Sequence, residues 1–289
     1  MTDARVRPDL HAHTTASDGR LSPAQVALRA KEAGVTLLSV TDHDALEGLP
    51  EAAAAAQNAG IGFLPGVEIS AGEDSRVHVL GYGVSADMRA LSGLLESMRA
   101  DRENRALEML SRLCALGMPL PHGEILRGDG TSVGRPRIAR EMIRAGYVGS
   151  MVEAFEKYLA EGRPAYVPRK KRAAAEVIAL LRAEGAVPVL AHPGLLHLDQ
   201  TAFMPLLAQW KEAGLAGLEV YHPVHPPETL PAWDALARAQ GLLVTGGSDF
   251  HEPGEGFSPL GCMVNLWPRA GEDAEALRSA VRCFHPSAI

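Results

Sequence analysis

The chain has few cysteines and lacks any long hydrophobic run. Its cysteines, Cys114, Cys262 and Cys283, are far apart and odd in number, so they fit neither a zinc ribbon nor a disulfide framework. No apolar run reaches the roughly 18 residues expected of a membrane helix, and the N-terminal residues contain no signal-peptide core. We therefore expect a protein of the reducing cytoplasm that does not act at a membrane.

Acidic residues outnumber basic residues over the whole chain, but not in its middle. The formal net charge is −7, whereas residues 97–172 contain 15 Lys and Arg against 9 Asp and Glu. An acidic body can bind cations, and a basic middle can bind an anionic substrate. The alternative is that the middle is only a solvated helical surface, and charge alone leaves both interpretations open.

Short apolar runs alternate with helical patterns along most of the chain. The runs predicted to be β-strands are 6–11, 36–41, 61–67, 77–82, 187–191, 217–221 and 242–246. Only a short polar loop separates the third run from the fourth, which predicts a hairpin. About seven strands alternating with helices in this length favour an α/β fold whose mostly parallel sheet is closed into a barrel.

One stretch breaks this alternation. Residues 97–165 carry helical patterns and no convincing strand. We therefore predict a barrel whose first part is residues 1–96 and whose second part is residues 166–289. A helical insertion domain, residues 97–165, is predicted between the fourth and fifth strands.

Side chains that can bind metal follow most of the predicted strands. They are His11, His13, Asp18, His43, Glu68, His78, His192, Asp249 and His251. His11 and His13 are two residues apart on a strand, so both side chains point to the same face and can share one ion. Since active sites of α/β barrels are built at the carboxyl ends of the strands, this set predicts a metal centre at that rim.

The chemistry of this set limits which ions it can hold. Imidazoles combined with carboxylates suit Zn²⁺, Mn²⁺ or Fe²⁺. Nine ligands exceed the needs of one or two ions, and three ions with positions left for water and substrate fit better. A barrel whose metals are bridged by a modified lysine is excluded, because no lysine occurs between Lys31 and Lys157. Glu68 is the natural bridging residue instead.

Arginines in the basic middle are candidates for binding phosphate. Arg99, Arg102 and Arg105 are spaced by three and so lie on one helix face. Residues 134–137 open a helix, and helix N-termini attract anions. A third basic cluster, residues 166–172, has the sequence YVPRKKR. The alternative is that the arginines pair with neighbouring glutamates, as we expect of Arg105. The residues assigned to the substrate are Arg99, Arg102, Gly134 and Arg135.

Six motifs together resemble one known family, the PHP (polymerase and histidinol phosphatase) phosphoesterases. They run in order from Asp9 to His251 and read DLHAHTTASDG, VTDHD, GVEIS, VHVLGYG, AHPG and GSDFH. The resemblance implies a distorted (β/α)7 PHP barrel with a trinuclear metal centre of divalent ions. Mn²⁺ is the expected ion, with Zn²⁺ or Fe²⁺ as alternatives. The implied ligands are His11, His13, Glu68 and Asp249 for one ion, Asp18, His43 and His251 for a second, and His78, His192 and the bridging Glu68 for the third.

The arginine-rich insertion and the GRPxIA-type segment at residues 134–139 resemble one branch of that family in particular. Members of this branch remove the 3′-phosphate from 3′,5′-bisphosphonucleotides, and some degrade short RNA from its 5′ end. The resemblance therefore implies a metal-dependent phosphoesterase acting on a small nucleotide bisphosphate or a short oligonucleotide, and not on long duplex nucleic acid. Arg137 departs from the branch, in which His is frequent at this position. The residues assigned to catalysis are His11, His13, Glu68, Asp249 and His251.

Other side chains are expected to support the reaction from nearby. Asp42 is expected to orient His43 or a bound water. A third metal ion or an imidazole, that of His222 or His197, is expected to assist the leaving alkoxide.

Two other functions remain open. Histidinol-phosphate phosphatase is the nearest alternative, although a cationic substrate has no evident need of an arginine-rich helix. A non-catalytic metal-binding PHP module is the alternative from another class. Such modules usually show gaps in the ligand set, and this chain shows none.

Overall fold

The computed structural model describes residues 6–72, 76–127, 134–168 and 172–284. The chain divides into two compact units, one formed by Met1–Ser92 with Lys171–Ile289 and the other by Gly93–Lys170. Three residues of the predicted basic segment lie outside the described residues, namely Arg169, Lys170 and Lys171. Within the described ranges, no helix is both long and apolar enough to cross a membrane.

The larger unit contains short strands in two sheets. They are β1 (Pro8–Asp9), β2 (Leu37–Leu38), β3 (Gly62–Phe63), β4 (Gly66–Ser70), β5 (His78–Tyr82), β6 (Val187–Leu190), β7 (Gly217–Tyr221) and β8 (Leu243–Gly246). Strands β1, β2 and β3 pair in parallel, as do β6, β7 and β8. Strand β5 is antiparallel to both β4 and β6. The predicted α/β class with a mostly parallel sheet is therefore confirmed, and so is the predicted hairpin.

Backbone hydrogen bonds join the two sheets and close them into a barrel. The Leu10 N–H donates to the Gly246 carbonyl at 3.1 Å, and the Asp249 N–H donates to the His11 carbonyl at 2.9 Å. At the other seam, an isolated parallel bridge joins His43 to Glu68. Because the barrel is closed, residues that follow different strands lie around one rim.

The third predicted strand is divided in the structure. Its halves are β3 and β4, and Leu64 and Pro65 lie between them without strand pairing. Proline has no N–H to donate to a neighbouring strand, which explains the interruption at this point. Taken as one strand, the two halves restore the predicted number.

Helices cover the connections between strands. They are α1 (Pro23–Glu32), α2 (Leu49–Ala59), α3 (Arg89–Ala115), α4 (His122–Arg127), α5 (Arg135–Arg144), α6 (Met151–Ala154), α7 (Ala174–Ala183), α8 (Gln200–Glu212), α9 (Leu230–Ala239) and α10 (Ala270–Phe284). The start of α1 shows why the sequence predicts such bounds. The Ser22 hydroxyl accepts from the Gln25 N–H, and the Gln25 side chain accepts from the Ser22 N–H. This reciprocal cap, with Pro23 in the first turn, fixes where the helix begins.

The smaller unit, Gly93–Lys170, contains only helical elements among its described residues. Its helices enclose a hydrophobic core of their own. Members of that core include Met109, Leu110, Leu113, Ile125, Ile138, Met142 and Leu159. Burial stabilises each such side chain by roughly 1.5–3 kcal/mol relative to exposure. Helical structure in this stretch is therefore supported by internal packing as well as by local propensity.

Gly247 directly follows β8 and lies against the backbone of His11, the first histidine of the predicted metal centre. A Cβ atom on Gly247 would lie 2.4 Å from the backbone nitrogen of His11, a contact that requires the backbone to move. We therefore expect Gly247→Ala to lower the free energy of unfolding by roughly 1–3 kcal/mol or more, measured by urea denaturation. Gly93→Ala is the control, because nothing lies within 4 Å of the added Cβ. It should be neutral or stabilising by roughly 0.5–1 kcal/mol, since alanine favours a helix over glycine. Equal stability of Gly247→Ala and the natural chain would contradict the close approach.

Candidate metal centre

Four of the predicted ligands surround one point inside the rim of the barrel. The Nε2 atoms of His11 and His13 lie 3.1 Å apart, and both side chains are fully buried. Glu68 Oε2 lies 3.3 Å from each of these nitrogen atoms. Asp249 Oδ1 lies 3.3 Å from His11 Nε2 and 3.0 Å from His13 Nε2. Two imidazoles and two carboxylates thus present ligand atoms to a shared space.

A second group forms on the solvent side of His13. Asp18 Oδ2 lies 3.8 Å from His43 Nε2, and Asp18 Oδ1 lies 3.5 Å from His251 Nε2. The Nδ1–H of His251 donates to the Asp249 carbonyl at 2.8 Å, so Nε2 is the ring nitrogen left to face Asp18. His13, Asp18, His43 and His251 therefore form a second set of potential ligands, within which His13 is shared with the first.

Glu68 connects these groups to the remaining histidines. Its Oε1 lies 2.7 Å from His78 Nδ1 and 2.9 Å from His192 Nε2. Its Oε2 lies 3.0 Å from His43 Nδ1. The two oxygen atoms of one carboxylate thus face different imidazoles, which is the arrangement a bridging ligand requires. Five imidazoles thus contact Glu68, and Asp249, Asp18 and His251 join the cluster through contacts with His11, His43 and His13 respectively.

The backbone holds two of these residues in an uncommon conformation. His192 has φ 26° and Asp249 has φ 53°, both in the left-handed region that favours glycine. Such a backbone costs about 1–3 kcal/mol for each residue and persists where the surroundings enforce it. For Asp249, one enforcing contact is the hydrogen bond from its N–H to the His11 carbonyl. Strain at these positions is typical of functional sites.

Carboxylates and imidazoles in the cluster stabilise each other's charged forms. Burial lowers the pKa of His11, but the carboxylates of Glu219 and Asp249 outweigh this effect and hold that pKa well above its usual value. Burial opposes protonation of His13 as well, yet hydrogen bonds to Asp249 and Glu68 raise its pKa to about 9. Burial raises the pKa of Glu68, but the imidazoles of His43 and His78 hold it well below the usual range. In this arrangement, protons on the imidazoles balance the carboxylate charge, and cations can supply the same balance.

Several buried polar atoms of the cluster fit metal ions. Among the residues that the structure describes, His13 Nδ1 and His43 Nδ1 have no partner with hydrogen-bond geometry. Buried polar atoms are nearly always satisfied, so such atoms indicate a missing partner. Imidazole nitrogen and carboxylate oxygen atoms are the ligands that suit Zn²⁺, Mn²⁺ and Fe²⁺. The residues present therefore fit divalent ions of this kind.

Asp42 makes different contacts from those expected. Its carboxylate accepts from the Thr14 N–H at 2.7 Å, the Thr14 hydroxyl at 2.7 Å and the Ser17 hydroxyl at 2.6 Å. These contacts fasten the loop between His13 and Asp18 rather than the imidazole of His43. Asp42 thus helps to place Asp18, since its oxygen atoms are occupied by that loop.

The two imidazoles expected to assist the leaving group differ in position. His222 is buried, and its Nε2 lies 3.4 Å from Asp249 Oδ2. Its Nδ1 accepts from the Val224 N–H at 3.1 Å, so a neutral His222 carries its proton on Nε2. His197 is exposed and belongs to none of the potential ligand groups found among the described residues. Of the two, His222 is the one that the structure brings to the cluster.

Glu219 is a site residue that the sequence reasoning missed. It lies in β7, is fully buried, and contacts both His11 and the backbone of His192. The signal in the sequence is a single charged residue within the apolar strand GLEVY. A buried carboxylate requires partners, so its presence in a strand indicates polar groups inside the barrel.

The residues assigned to the substrate lie in the smaller unit. Arg99 and Arg102 are on α3, and Gly134 is the N-cap of α5 with an extended backbone. The guanidinium of Arg135 lies 5.6 Å from the ring centre of Phe155 and 5.8 Å from that of Tyr166. These aromatic partners were not anticipated. Arg105, expected to be structural, donates from Nε to the Val167 carbonyl at 2.7 Å.

Comparison with known proteins gives consistent matches. A family model described as the PHP domain matches residues 9–182. The 3′,5′-nucleoside bisphosphate phosphatase of Chromobacterium violaceum is 36% identical, covering 90% of this chain and 92% of that protein. The 5′-3′ exoribonuclease of Haemophilus influenzae is 31% identical, covering 90% and 98%. A Chromobacterium violaceum structure described as an amidohydrolase, with bound sulfate and no metal, has a TM-score of 0.80 at 34% identity, covering 95% and 96%. Sequence and fold are thus shared with these proteins over nearly the whole chain.

Proposed function

The chain belongs to the PHP domain family, and from that premise we propose that it is a metal-dependent phosphoesterase that removes the 3′-phosphate of 3′,5′-bisphosphonucleotides. Adenosine 3′,5′-bisphosphate would yield AMP and phosphate. The observation that carries the proposal is the cluster of imidazoles and carboxylates centred on Glu68. Two relatives support the substrate class by their names, a nucleoside bisphosphate phosphatase and an exoribonuclease. The second also favours short RNA, degraded from the 5′ end, as a further substrate.

Three divalent ions per chain are part of this proposal. We assign His11, His13, Glu68 and Asp249 to one ion, Asp18, His43 and His251 to a second, and His78, His192 and Glu68 to a third. Mn²⁺ is the proposed ion, with Zn²⁺ or Fe²⁺ as alternatives. When bound, such ions neutralise phosphate charge and lower the pKa of water toward neutrality.

The side chains proposed to be catalytic are His11, His13, Glu68, Asp249 and His251. Their own task is to hold charge and lone pairs in fixed positions before the substrate arrives, which removes the cost of reorganisation during the reaction. His222 contributes a hydrogen bond from Nε2 to an oxygen of the leaving group or of Asp249. It donates a hydrogen bond rather than a proton, because its Nδ1 is occupied by the Val224 N–H.

Phosphate recognition is assigned to the insertion domain, residues 97–165. Arg99, Arg102 and Arg135 present guanidinium groups that can bind phosphate oxygen atoms with two parallel hydrogen bonds. Gly134 has no side chain to cap α5, so the Arg135 N–H at the start of the helix is the backbone donor that we assign to an anion, since Pro136 has no N–H and the Arg137 N–H donates to the Gly134 carbonyl. A Chromobacterium violaceum relative that binds sulfate is consistent with an anion site in this fold. The three free cysteines suit the cytoplasm as the place of the reaction.

The experiment that tests the function compares substrates directly. Protein loaded with Mn²⁺ is incubated with adenosine 3′,5′-bisphosphate, with histidinol phosphate and with a 5′-phosphorylated dinucleotide. Release of phosphate from the first in clear preference to the second supports the proposal, and cleavage of the dinucleotide adds the RNA activity. Preference for histidinol phosphate would contradict the proposal and favour a histidinol-phosphate phosphatase instead. Protein that binds fewer than two ions and hydrolyses none of the three would instead be a non-catalytic module.

Arg99→Ala tests the assignment of the insertion domain to substrate binding. Loss of a charged hydrogen bond formed before the chemical step should raise KM by about tenfold and change kcat little. Arg140→Ala is a matched control, because Arg140 is an exposed arginine on α5 of the same unit. Steady-state kinetics with adenosine 3′,5′-bisphosphate measure both variants. If Arg99→Ala leaves KM and kcat unchanged, the assignment of Arg99 is wrong.

A further inference from the structure

Glu219 makes two hydrogen bonds to residues of the metal centre from behind. Its Oε1 lies 2.9 Å from His11 Nδ1, and its Oε2 accepts from the His192 N–H at 2.8 Å. The side chain is fully buried, and so is that of His11. One carboxylate in β7 is thus bonded both to the N-terminal histidine pair and to the strained turn after β6.

The contact with His11 selects one form of its ring. An ionised carboxylate only accepts hydrogen bonds, so His11 Nδ1 must carry a proton. When a metal ion takes the place of any second proton, the lone pair of Nε2 is the one directed toward His13, Glu68 and Asp249, whose ligand atoms lie within 3.3 Å of it. A histidine binds metal through an unprotonated nitrogen atom, and the partner of the other nitrogen decides which one that is.

The contact with His192 acts on the backbone. Its φ of 26° is unfavourable for a residue with a side chain. The bond from its N–H to Glu219 holds this conformation, in which Nε2 lies 2.9 Å from Glu68 Oε1. Two histidines that contact different oxygen atoms of Glu68 therefore depend on the same buried carboxylate.

We infer that Glu219 is a positioning residue that keeps His11 and His192 ready to bind metal, an inference that rests on the proposed metal-dependent function. The alternative is that Glu219 is itself a ligand, together with His11 and His222, since these three lie close together. That set is poorly suited to an ion, because His11 Nδ1 and both oxygen atoms of Glu219 are already engaged. A neutral His222 offers a protonated Nε2, because its Nδ1 accepts from the Val224 N–H.

Glu219→Gln removes one of the two hydrogen-bond acceptors of this side chain while changing its volume little. A glutamine presents one oxygen atom and one NH2 group, so it can satisfy only one of the two donors. With the NH2 group toward His11, it donates to Nδ1, moves the ring proton to Nε2 and blocks that lone pair. With the NH2 group toward His192, it opposes the backbone N–H. In either orientation, we expect metal affinity to fall by roughly 10- to 100-fold.

Asp273→Asn is the matched control, because Asp273 is also a buried carboxylate with several donors. It accepts from Arg238 and from Trp267 Nε1 in the α10 region, and it is absent from the potential ligand groups. This variant should lose thermal stability and retain metal affinity. Binding of Mn²⁺ to metal-depleted protein is measured for both variants and for the natural chain. Excess Mn²⁺ should restore kcat of Glu219→Gln with KM for the substrate unchanged.

Which ring nitrogen of His11 carries the proton can be measured in the natural chain, without any variant. Long-range ¹H–¹⁵N NMR of the metal-depleted natural chain, recorded at a pH where the His11 ring carries a single proton, should show that proton on Nδ1, and Glu219→Gln should show a fraction on Nε2. A singly protonated His11 ring with its proton on Nε2 in the natural chain would overturn the inference even if the variant does not fold. Unchanged Mn²⁺ affinity of Glu219→Gln would overturn it too, as would equal losses in Asp273→Asn. If no phosphate ester is hydrolysed but these binding results hold, the proposed reaction fails and the positioning role stands.

Discussion

Asp249→Ala is expected to lower kcat by about 10³-fold or more, while the fold remains. The Oδ1 atom of Asp249 lies within 3.3 Å of the Nε2 atoms of both His11 and His13, so the variant removes a charge from the centre of the cluster. Changes to residues that merely orient a metal ligand already cost roughly 10- to 100-fold, and loss of a ligand should cost more. Phosphate release from adenosine 3′,5′-bisphosphate and metal content per chain are the two measurements.

Asp199→Ala is the control for this substitution. Asp199 is an exposed aspartate that caps α8 by accepting from the Ala202 N–H at 2.9 Å. Its loss should lower the free energy of unfolding by about 1 kcal/mol and leave kcat unchanged. Circular dichroism should show that both variants are folded. If Asp249→Ala keeps more than about a tenth of the natural kcat, a role for this carboxylate in the chemical step is excluded.

Removal of metal should lower the rate of phosphate release by about 10²-fold or more, because the ions provide the positive charge that stabilises the phosphate in the reaction. The cluster itself should survive, since the imidazoles can take up protons in place of ions. His13, whose pKa is raised to about 9 by Asp249 and Glu68 against the opposing effect of burial, is the clearest case. Chelation followed by addition of Mn²⁺, Zn²⁺ or Fe²⁺ tests both the loss and its reversal.

Metal analysis decides how many ions the activity requires. Full recovery with about three Mn²⁺ per chain would agree with the proposed ligand sets. Asp249→Ala, treated in the same way, should not recover. Full activity in protein that holds no divalent ion after chelation would contradict a metal-dependent reaction.

The ligand set could be predicted from sequence because of where its members stand relative to the strands. His43 and His192 follow apolar runs, and the ends of barrel strands meet at one rim. Glu68 is predicted to end the third strand, but it lies inside β4, which continues to Ser70. Histidines at a spacing of two, as in His11 and His13, point the same way for the same geometric reason. Two facts are enough to place these ligands together: side chains alternate between the two faces of a strand, and the strands close into a barrel.

The contacts behind the ligands could not be predicted in this way. Glu219 lies within an apolar run of the sequence rather than after it, and its partners are 27 and 208 residues away. The actual contacts of Asp42, to Thr14 and Ser17, likewise depend on how a loop folds back. Nor does local pattern show that Arg135 stacks on aromatic rings from later parts of the chain. Contacts between side chains far apart in the sequence are decided by packing in the folded protein. The spacing of apolar residues predicts strands and helices but not these contacts.

The antiparallel hairpin of β4 and β5 bears on the order in which the centre is assembled. Glu68 and His78 are only 10 residues apart and face each other across that hairpin, whereas His11 and Glu219 are 208 residues apart. Contacts between residues near in sequence form faster than those that must close a long loop. We therefore expect the Glu68–His78 side early in folding and the His11–Asp249 side only when the first and last strands meet. A full complement of ions would then mark those molecules in which folding is complete.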